Sequence, residues 1–196
     1  YATPHGIYPR IKRGFDIVMG LISMVVLLPI MAITAVLVLL DVGFPVIFWQ
    51  QRPGLHGKPF RLVKFRTMQG SRRRLDEPRL SHKSSDQSRM SPLGKWLRRF
   101  RLDELPQLFH MLAGTISFVG PRPLLHDDQP ANGSIRLSVR PGITGWAQIH
   151  GGDALTPTEK LALDRWYIDH ISLWLDIRIL LRTLLVIWKD DKHAIK

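Results

Sequence analysis

Two carboxylates stand side by side in the segment RLDELPQLFHMLAG, in which Asp103 is followed directly by Glu104. The segment predicts a helix that begins at Asp103 and ends at Gly114, since glycine is typical of the residue after a helix C-terminus. Acidic residues at a helix start often serve only to complement the backbone dipole. A carboxylate can also attack a phosphoryl group and form an acyl phosphate. The dipeptide alone is compatible with both interpretations, a helix cap and a reaction centre.

A phosphoryl reaction at a carboxylate requires nearby positive charge, because the nucleophile and the substrate are both anionic. Arg98 lies five residues before Asp103, and Arg122 lies between two prolines, so both are candidate phosphate clamps. Zinc chemistry is not indicated, because the chain has no cysteine and its eight histidines show no H-x-x-x-H spacing. The common glycine-rich phosphate-binding motifs are also missing. Arginine forks or a hard divalent cation would therefore have to bind the phosphate.

The charge balance predicts anionic partners. Lys and Arg number 28 and Asp and Glu number 16, which gives a formal net charge of +12. Such a charge suits nucleic acid, an acidic membrane surface or phosphorylated substrates. The runs SRRR and KWLRRFR motivate a nucleic-acid binder, but no recognised nucleic-acid motif accompanies them. Nucleic-acid binding also leaves the apolar N-terminal region unexplained, so we expect no nucleic-acid partner.

The segment from Ile17 to Leu40 carries no charged residue and is bounded by Asp16 and Asp41. A core helix of a soluble protein rarely runs so long without charge on any face, so the pattern predicts membrane insertion. As a helix the segment would reach about 36 Å, enough to cross a hydrocarbon core of about 30 Å. Pro29 lies in the middle, however, where it kinks a helix, and basic residues on both flanks favour a cytoplasmic location for both ends. A spanning helix and a re-entrant helix that dips into one leaflet both remain open.

The rest of the chain predicts a mainly α-helical fold with a small β-hairpin. The segments PVIFWQQR and PFRLVKFRTM are typical of two strands around the turn PGLHGK. Apolar stripes predict a helix from Pro92 to Phe100 and two helices between Pro157 and Trp188, broken near Ser172. The tryptophans of this last part are typical of helices at a headgroup layer, and core packing explains them about as well.

Polar and glycine-rich stretches predict loops between these elements. Two of them, Gln69–Ser91 and Asp127–Ser134, have the composition of surface loops. The segment RPGITGWAQIHGG, from Arg140 to Gly152, contains four glycines and a proline. It has the backbone freedom to surround a ligand, although glycine loops are common and the signal alone is weak.

Several motifs occur in a fixed order: KRGFDIVMGLISMVVLLPIMAI, KFRTM, LRRFRLDELPQLFHML, FVGPRPLL, RPGITGWAQIHG and LDRWYIDHISLWLDIRILLRT. Together they closely resemble the monotopic phosphoglycosyl transferases, the bacterial sugar transferase family. The resemblance extends from about Arg13 to Trp188, nearly the whole chain. It favours the reaction-centre interpretation of Asp103 and Glu104 over the helix cap.

The resemblance implies a reaction and the residues that perform it. Such enzymes transfer a sugar 1-phosphate from a nucleotide sugar, usually a UDP-sugar, to polyprenyl phosphate (undecaprenyl phosphate), and release UMP. This is the first membrane step of exopolysaccharide, capsule, O-antigen or glycoprotein assembly. Asp103 then corresponds to the nucleophile, and Glu104 assists with Mg²⁺, which both carboxylates would bind, or with deprotonation of the lipid phosphate. The implied substrate-binding residues are Lys64, Arg98, Arg122, Arg140, Gly142, Thr144 and Gln148.

The resemblance also implies a topology at the cytoplasmic face of the bacterial inner membrane. Residues 1–41 would form an N-terminal segment with a re-entrant helix broken at Pro29, and residues 42–196 a catalytic domain with amphipathic interfacial helices. Many relatives have Ser before this proline, whereas Leu28 stands here, so the bend depends on the proline alone. Basic surface residues could contribute about 1 kcal/mol each toward anionic lipids, and the apolar C-terminal helix could meet lipid or a second copy of the chain.

Two other functions fit the same sequence. One is a membrane-anchored scaffold in which the transferase has become inactive. The other is hydrolysis of the nucleotide sugar on the same scaffold, without a lipid acceptor.

Overall fold

The computed structural model describes residues 7–69, 90–125, 128–130 and 133–193. The protein is mainly helical, with two small two-stranded sheets among the described residues. In chain order the helices and strands are α1 (Tyr8–Val42), β1 (Ile47–Pro53), β2 (Pro59–Phe65), α2 (Pro92–Arg99), α3 (Leu108–Ala113), β3 (Ser117–Val119), β4 (Gly142–Thr144), α4 (Trp146–Ile149), α5 (Pro157–Asp169) and α6 (Leu173–His193). Short 3₁₀ turns are Leu55–Gly57, Leu102–Gln107, Gly133–Ser138 and Gly152–Ala154.

The predicted hairpin and the predicted helices α2, α5 and α6 are confirmed. The predicted helix from Asp103 to Gly114 is confirmed in its second half, where α3 ends at Gly114 in the left-handed conformation, with φ of 79°. Its first half is instead a 3₁₀ turn that contains Pro106. A proline has no N–H to donate to the preceding turn, which explains why the regular helix begins only after it. Nearly all of the predicted loop Gln69–Ser91 lies outside the described residues.

The chain divides into two compact units, each described here by itself. The first comprises Tyr1–Ser23, Gln50–Leu62 and Gln107–Lys196, and the second comprises Met24–Trp49 and Val63–Pro106. The sequence predicts a different division, between a membrane segment at residues 1–41 and a cytoplasmic catalytic domain at residues 42–196. That division stays a prediction.

Helix α1 is long and apolar enough to cross a membrane, and 17% of its most apolar 18-residue window is buried within the protein. Large aliphatic side chains therefore remain exposed along it, including Val25, Val26 and Leu40. The helix continues through Pro29 without interruption. Past the proline, the Thr34 hydroxyl donates to the Ile30 carbonyl oxygen at 2.8 Å, a bond to the preceding turn that often accompanies a bend.

In the second unit, polar side chains form hydrogen bonds with backbone groups at the ends of two helices. The guanidinium of Arg66 donates to the carbonyl oxygens of Val42, Gly43 and Phe44, which satisfies acceptors that the end of α1 leaves without a helical partner. The Ser91 hydroxyl accepts from the Gly94 amide at 2.8 Å and so caps the start of α2.

In the first unit, β3 and β4 form a parallel pair that the sequence did not indicate. Ser117 is opposite Gly142, and Val119 is opposite Thr144. A Cβ at Gly142 would lie 2.1 Å from the backbone nitrogen of Gly120, so only glycine permits this approach of the two chains. The core beside the pair contains Val119, Val139, Tyr167, Ile168, Leu175 and Ile179.

A buried polar network connects the first turns of α1 to α6 within the first unit. Asp176 accepts from the hydroxyl groups of Tyr8 and Tyr167, both at 2.7 Å, and forms an ion pair with Lys12. Asp176 is fully enclosed, so these donors replace the water that its carboxylate loses on folding. The network therefore fixes the N-terminal part of α1 to the start of α6.

Candidate active site

The acidic pair lies in the second unit, directly after α2. Arg101 has a φ of 57°, in the left-handed region that residues other than glycine rarely adopt. This conformation ends α2 and directs the chain into the 3₁₀ turn, where the Glu104 amide donates to the Arg101 carbonyl oxygen at 3.1 Å. Such a conformation costs on the order of 1–3 kcal/mol, so the surrounding structure must stabilise it. Both carboxylates are thereby held in the first turn.

Glu104 forms a close ion pair with Lys64, which extends from β2. The distance from Lys64 Nζ to Glu104 Oε1 is 2.7 Å, and Arg101 Nη1 lies 3.8 Å from the same oxygen. The side chain of Glu104 is 10% exposed and that of Lys64 is 24% exposed. The pair is thus largely shielded from water, which strengthens the interaction.

Asp103 is 6% exposed, and within the described ranges its carboxylate has neither a hydrogen bond nor an ion pair. Burial raises the pKa of Asp103 above its ordinary value, and the charge of Glu104 acts in the same direction. Lys64, Arg98 and Arg101 oppose this rise in the pKa through their positive charges. Asp103 is therefore a buried carboxylate that is influenced by three cations and accepts no hydrogen bond from the described residues, a suitable state for a nucleophile.

Arg98 is positioned by a close contact between α2 and the residues after β2. Its Nε donates to the Thr67 hydroxyl at 2.9 Å. A Cβ at Gly94 would lie 2.3 Å from the Thr67 carbonyl oxygen, so the glycine allows α2 to approach this backbone. Gly94 thereby places Arg98 where its charge acts on Asp103.

The remaining predicted site residues lie in the first unit. Arg122 is held through its backbone, because its carbonyl oxygen accepts from Arg136 Nη2 at 2.9 Å. Arg136 in turn forms a buried ion pair with Asp164, with 2.7 Å between Nε and Oδ2, and donates to Gln129 at 3.2 Å. Two prolines flank Arg122, so its backbone is rigid on both sides.

Three predicted substrate-binding residues have structural contacts. Arg140 Nε donates to the Gly114 carbonyl oxygen at 2.8 Å, at the end of α3. The Thr144 hydroxyl is hydrogen-bonded to that of Thr183 at 2.7 Å. Gly142 lies in the tight β3–β4 pair. These contacts explain the three residue types without a ligand, and their roles in substrate binding stay predictions.

Gln148 on α4 differs from these three. Its side-chain amide nitrogen and oxygen are both enclosed and have no partner in the described part of the chain. A buried amide without hydrogen bonds costs roughly 1–3 kcal/mol. Either a bound water or a polar ligand group would remove that penalty, and the binding role of Gln148 stays a prediction.

The structure thus brings four of the nine predicted residues together in the second unit: Lys64, Arg98, Asp103 and Glu104. Sequence reasoning missed Arg101 and the supporting pair of Arg136 and Asp164. No local pattern marked the pair, because its members lie 28 positions apart in the chain.

Asp103 and Glu104 are the carboxylates at this site that could hold a hard cation together with a substrate phosphate. Among the residues that the structure describes, no group of three or more His, Asp and Glu side chains could bind a metal ion. One oxygen of Glu104 is already paired with Lys64. Mg²⁺ is commonly held by one or two carboxylates together with substrate phosphates and water, so Asp103 and Glu104 fit an ion shared with a bound phosphate.

Comparison with known proteins identifies the family. The model of the family described as "Bacterial sugar transferase" matches residues 7–190. The uncharacterized sugar transferase EpsL of Bacillus subtilis is 43% identical over 177 residues, which cover 89% of this chain and 85% of that protein. The undecaprenyl-phosphate glucose phosphotransferase of Komagataeibacter xylinus is 38% identical, over 88% of this chain and 35% of the relative.

A third relative agrees with these two. The UDP-glucose:undecaprenyl-phosphate glucose-1-phosphate transferase of Escherichia coli is 36% identical, over 94% of this chain and 42% of the relative. The chain therefore spans less than half the length of the last two relatives, and most of EpsL. The resemblance to the bacterial sugar transferase family is confirmed: the chain belongs to the bacterial sugar transferases.

Proposed function

We propose that this protein transfers a sugar 1-phosphate from a UDP-sugar to polyprenyl phosphate, releasing UMP and forming a polyprenyl diphosphate sugar. Family membership and the activities named for the relatives from K. xylinus and E. coli support the reaction class. The observation that carries the proposal for this chain is the buried Asp103, which has three cations around it. The reaction is the first membrane step in assembly of a bacterial exopolysaccharide, capsule, O-antigen or glycoprotein glycan.

In the first step, a carboxylate oxygen of Asp103 attacks the phosphorus that bears the sugar. The new bond joins Asp103 to this phosphorus, and the bond from the phosphorus to the oxygen it shares with the UMP phosphate breaks. UMP leaves with that oxygen and with the electron pair of the broken bond. Arg98 and Lys64 neutralise charge that the substrate brings to the carboxylates. The product on the enzyme is an acyl phosphate that carries the sugar.

In the second step, an oxygen of polyprenyl phosphate attacks the same phosphorus. The bond between phosphorus and Asp103 breaks, and the carboxylate is restored. Glu104, held by Lys64 and Arg101, is placed to orient the acceptor or to accept a proton from its phosphate. Mg²⁺, when bound by the acidic pair, supplies positive charge to the phosphate oxygens.

Substrate binding would also involve the predicted residues of the first unit. Arg122, held by a rigid backbone, is proposed to bind phosphate, and Gln148 to contact the nucleotide sugar through its unpartnered amide. Arg140, Gly142 and Thr144 are proposed to shape the loop that receives the donor.

The exposed apolar surface of α1 supports attachment to a membrane. We propose that α1 is re-entrant, bends at Pro29 and leaves both ends at the cytoplasmic face of the bacterial inner membrane. The Thr34 hydroxyl bond to Ile30 would assist the bend where Leu28 replaces the serine of many relatives. Exposed apolar side chains of α6, such as Leu184, would meet the interface with anionic lipids or a second copy of the chain.

The test is UMP release from a panel of UDP-sugars, with polyprenyl phosphate and Mg²⁺, for three forms of the chain. We expect the native chain and Asp169→Asn, a control at an exposed carboxylate, to release UMP with at least one donor. Asp103→Asn should lose at least about 10³-fold in turnover, because removal of a nucleophile commonly has a loss of that size or more. Turnover in the presence of EDTA should fall as well if Mg²⁺ takes part.

Other outcomes select among the alternatives. Equal release by Asp103→Asn would remove this residue as the nucleophile. Sustained release beyond one equivalent of UMP without lipid acceptor would indicate a nucleotide-sugar hydrolase. If the folded native chain released no UMP with any donor, an inactive scaffold would be favoured.

A further inference from the structure

Arg101 combines an unfavourable backbone conformation with a position two residues before Asp103. Its φ of 57° is in the left-handed region, and the one other residue with a positive φ that is not a glycine, in the described part of the chain, is His56 at 56°. Histidine is enriched in this region, whereas a longer side chain such as that of arginine is unusual there. A left-handed residue at an active-site turn indicates that its side chain is needed for function.

Contacts within the protein do not explain why this side chain is an arginine. Arg101 Nη1 lies 3.8 Å from Glu104 Oε1, which is beyond hydrogen-bond distance, and Lys64 Nζ lies 2.7 Å from the same oxygen. An ion pair at that distance, with a cation whose side chain is 48% exposed, contributes little to stability. The fold therefore gains little from an arginine at position 101.

The backbone places the charge of Arg101 beside the acidic pair. The Arg101 amide donates to the Arg98 carbonyl oxygen at 3.2 Å, and the Arg101 carbonyl oxygen accepts from the Glu104 amide at 3.1 Å. The positive charge of Arg101 also lowers the pKa of Asp103, in agreement with this placement. Because half of the side chain is exposed, its guanidinium can reach an anion that enters from solvent.

We infer that Arg101 binds a phosphate group of a substrate at the acidic pair. A guanidinium can donate two parallel hydrogen bonds to phosphate oxygens, which a lysine cannot do. These bonds would stabilise a phosphate against repulsion by the two carboxylates. The inference rests on the proposed function, since that function supplies the two candidate phosphates. One belongs to the diphosphate of the UDP-sugar, and the other to polyprenyl phosphate.

Direct binding to the full chain in detergent tests this role independently of turnover. Arg101→Gly removes the guanidinium and suits the left-handed backbone, whereas Arg101→Lys keeps the charge without the fork. His56→Gly is the matched control for the backbone, because it places glycine at the same conformation in an exposed turn of the first unit. Lys95→Gln removes one charge from an exposed side chain in the second unit. The probes are UDP, inorganic pyrophosphate and polyprenyl phosphate, measured by calorimetric titration.

We expect Arg101→Gly to bind at least one probe about 10- to 100-fold more weakly than the native chain, the usual range for one charge-assisted hydrogen bond. Arg101→Lys should lie between the two, and both controls should match the native chain. A loss confined to UDP and pyrophosphate would assign Arg101 to the donor. A loss confined to polyprenyl phosphate would assign it to the acceptor, and a loss for all three would show that both substrates use it.

Thermal unfolding without ligand separates substrate binding from a structural role. The Tm of Arg101→Gly should equal or exceed the native Tm, as that of His56→Gly should, because glycine adopts a positive φ without a steric penalty. A Tm of Arg101→Gly below the native value would assign the arginine to the fold and overturn the inference.

Two binding results would also overturn it. One is unchanged affinity of the folded Arg101→Gly variant for all three probes, and the other is failure of the native chain to bind any of them. Normal probe binding without turnover in the native chain would instead count against the proposed function alone.

Discussion

Two buried aspartates in this protein lie beside cations and differ in how their oxygens are used. Asp164 is 1% exposed and accepts from Arg136 Nε at 2.7 Å. Asp103 is 6% exposed and accepts no hydrogen bond from the described residues. Burial raises the pKa of both carboxyl groups. A raised pKa therefore does not distinguish the candidate nucleophile from a structural acid, whereas the use of the lone pairs does.

The cations beside the two aspartates differ in the same way. Arg136 is 4% exposed, and each of its three nitrogens donates to a protein acceptor. Lys64 and Arg101 are 24% and 48% exposed in their side chains, so both can reach a ligand. Hydrogen bonds from all three nitrogens of a buried arginine stabilise the fold. A partly exposed cation keeps charge that can act on a substrate.

The largest expected effect in this comparison follows Asp164→Asn. The substitution leaves the buried charge of Arg136 without its carboxylate, and breaking a buried ion pair costs about 3–5 kcal/mol. For a chain of this size, that loss corresponds to a decrease in Tm of roughly 6–20 °C, measured by thermal unfolding.

A double variant checks the reason for this loss. Arg136→Met combined with Asp164→Leu removes both charges, and we expect it to be more stable than Asp164→Asn alone. A double variant less stable than the single one would show that the contribution of the pair does not come from mutual neutralisation.

A smaller effect, on the size and the pH dependence of kcat/KM, is expected for Lys64→Gln. The positive charge of Lys64 lowers the pKa of Asp103 against the effect of burial, so its loss raises that pKa further. The nucleophile must be ionised, and the acid limb of the kcat/KM profile should therefore move to higher pH. Loss of the charged contact should also reduce kcat/KM about 10- to 100-fold.

The control for this experiment is Lys58→Gln, at an exposed lysine just before β2. It changes the net charge equally and should leave the acid limb in place. An unmoved limb in Lys64→Gln would mean that the limb reports a group other than Asp103.

The smallest expected effect is a gain in stability for Asp103→Asn. Because the pKa of Asp103 is raised in the folded protein, the ionised carboxylate destabilises the fold at neutral pH, and stability falls as pH rises from the ordinary pKa through the raised one. The variant should unfold about 2 °C higher at pH 7, on the order of 1 kcal/mol. The difference should narrow as pH falls toward the ordinary pKa of an aspartate, and a lower Tm at pH 7 would contradict the comparison.

Much of the fold followed from local patterns. The hairpin, α2, α5 and α6 were predicted because turn residues and apolar stripes are properties of neighbouring positions. The β3–β4 pair was not predicted, since it joins three-residue strands whose partners are 25 positions apart. The 3₁₀ turn at Asp103 contains Pro106, which has no N–H to donate to the preceding turn of a regular helix.

The sequence predicted some residues of the candidate site, but not the contacts that they make. Asp103 and Glu104 were found because they are adjacent, Arg98 because it lies five residues before Asp103, and Lys64 because the family resemblance implies it. The family resemblance implies a substrate-binding role for Thr144, which stays a prediction; only the structure shows that its hydroxyl is bonded to Thr183 on α6.

The sequence by itself determined the family, the charge-free segment of α1 and the presence of two adjacent carboxylates at Asp103 and Glu104. Each of these can be recognised from short stretches of neighbouring residues. Only the tertiary structure decided that Asp164 accepts a hydrogen bond, whereas Asp103 accepts none from the described residues. Asp164 and Arg136 meet across 28 positions, and Lys64 reaches Glu104 across 40. Hydrogen bonding and burial both depend on such distant contacts. Both aspartates are buried, and hydrogen bonding is the property that separates an acid that holds the fold together from one that is available to a substrate.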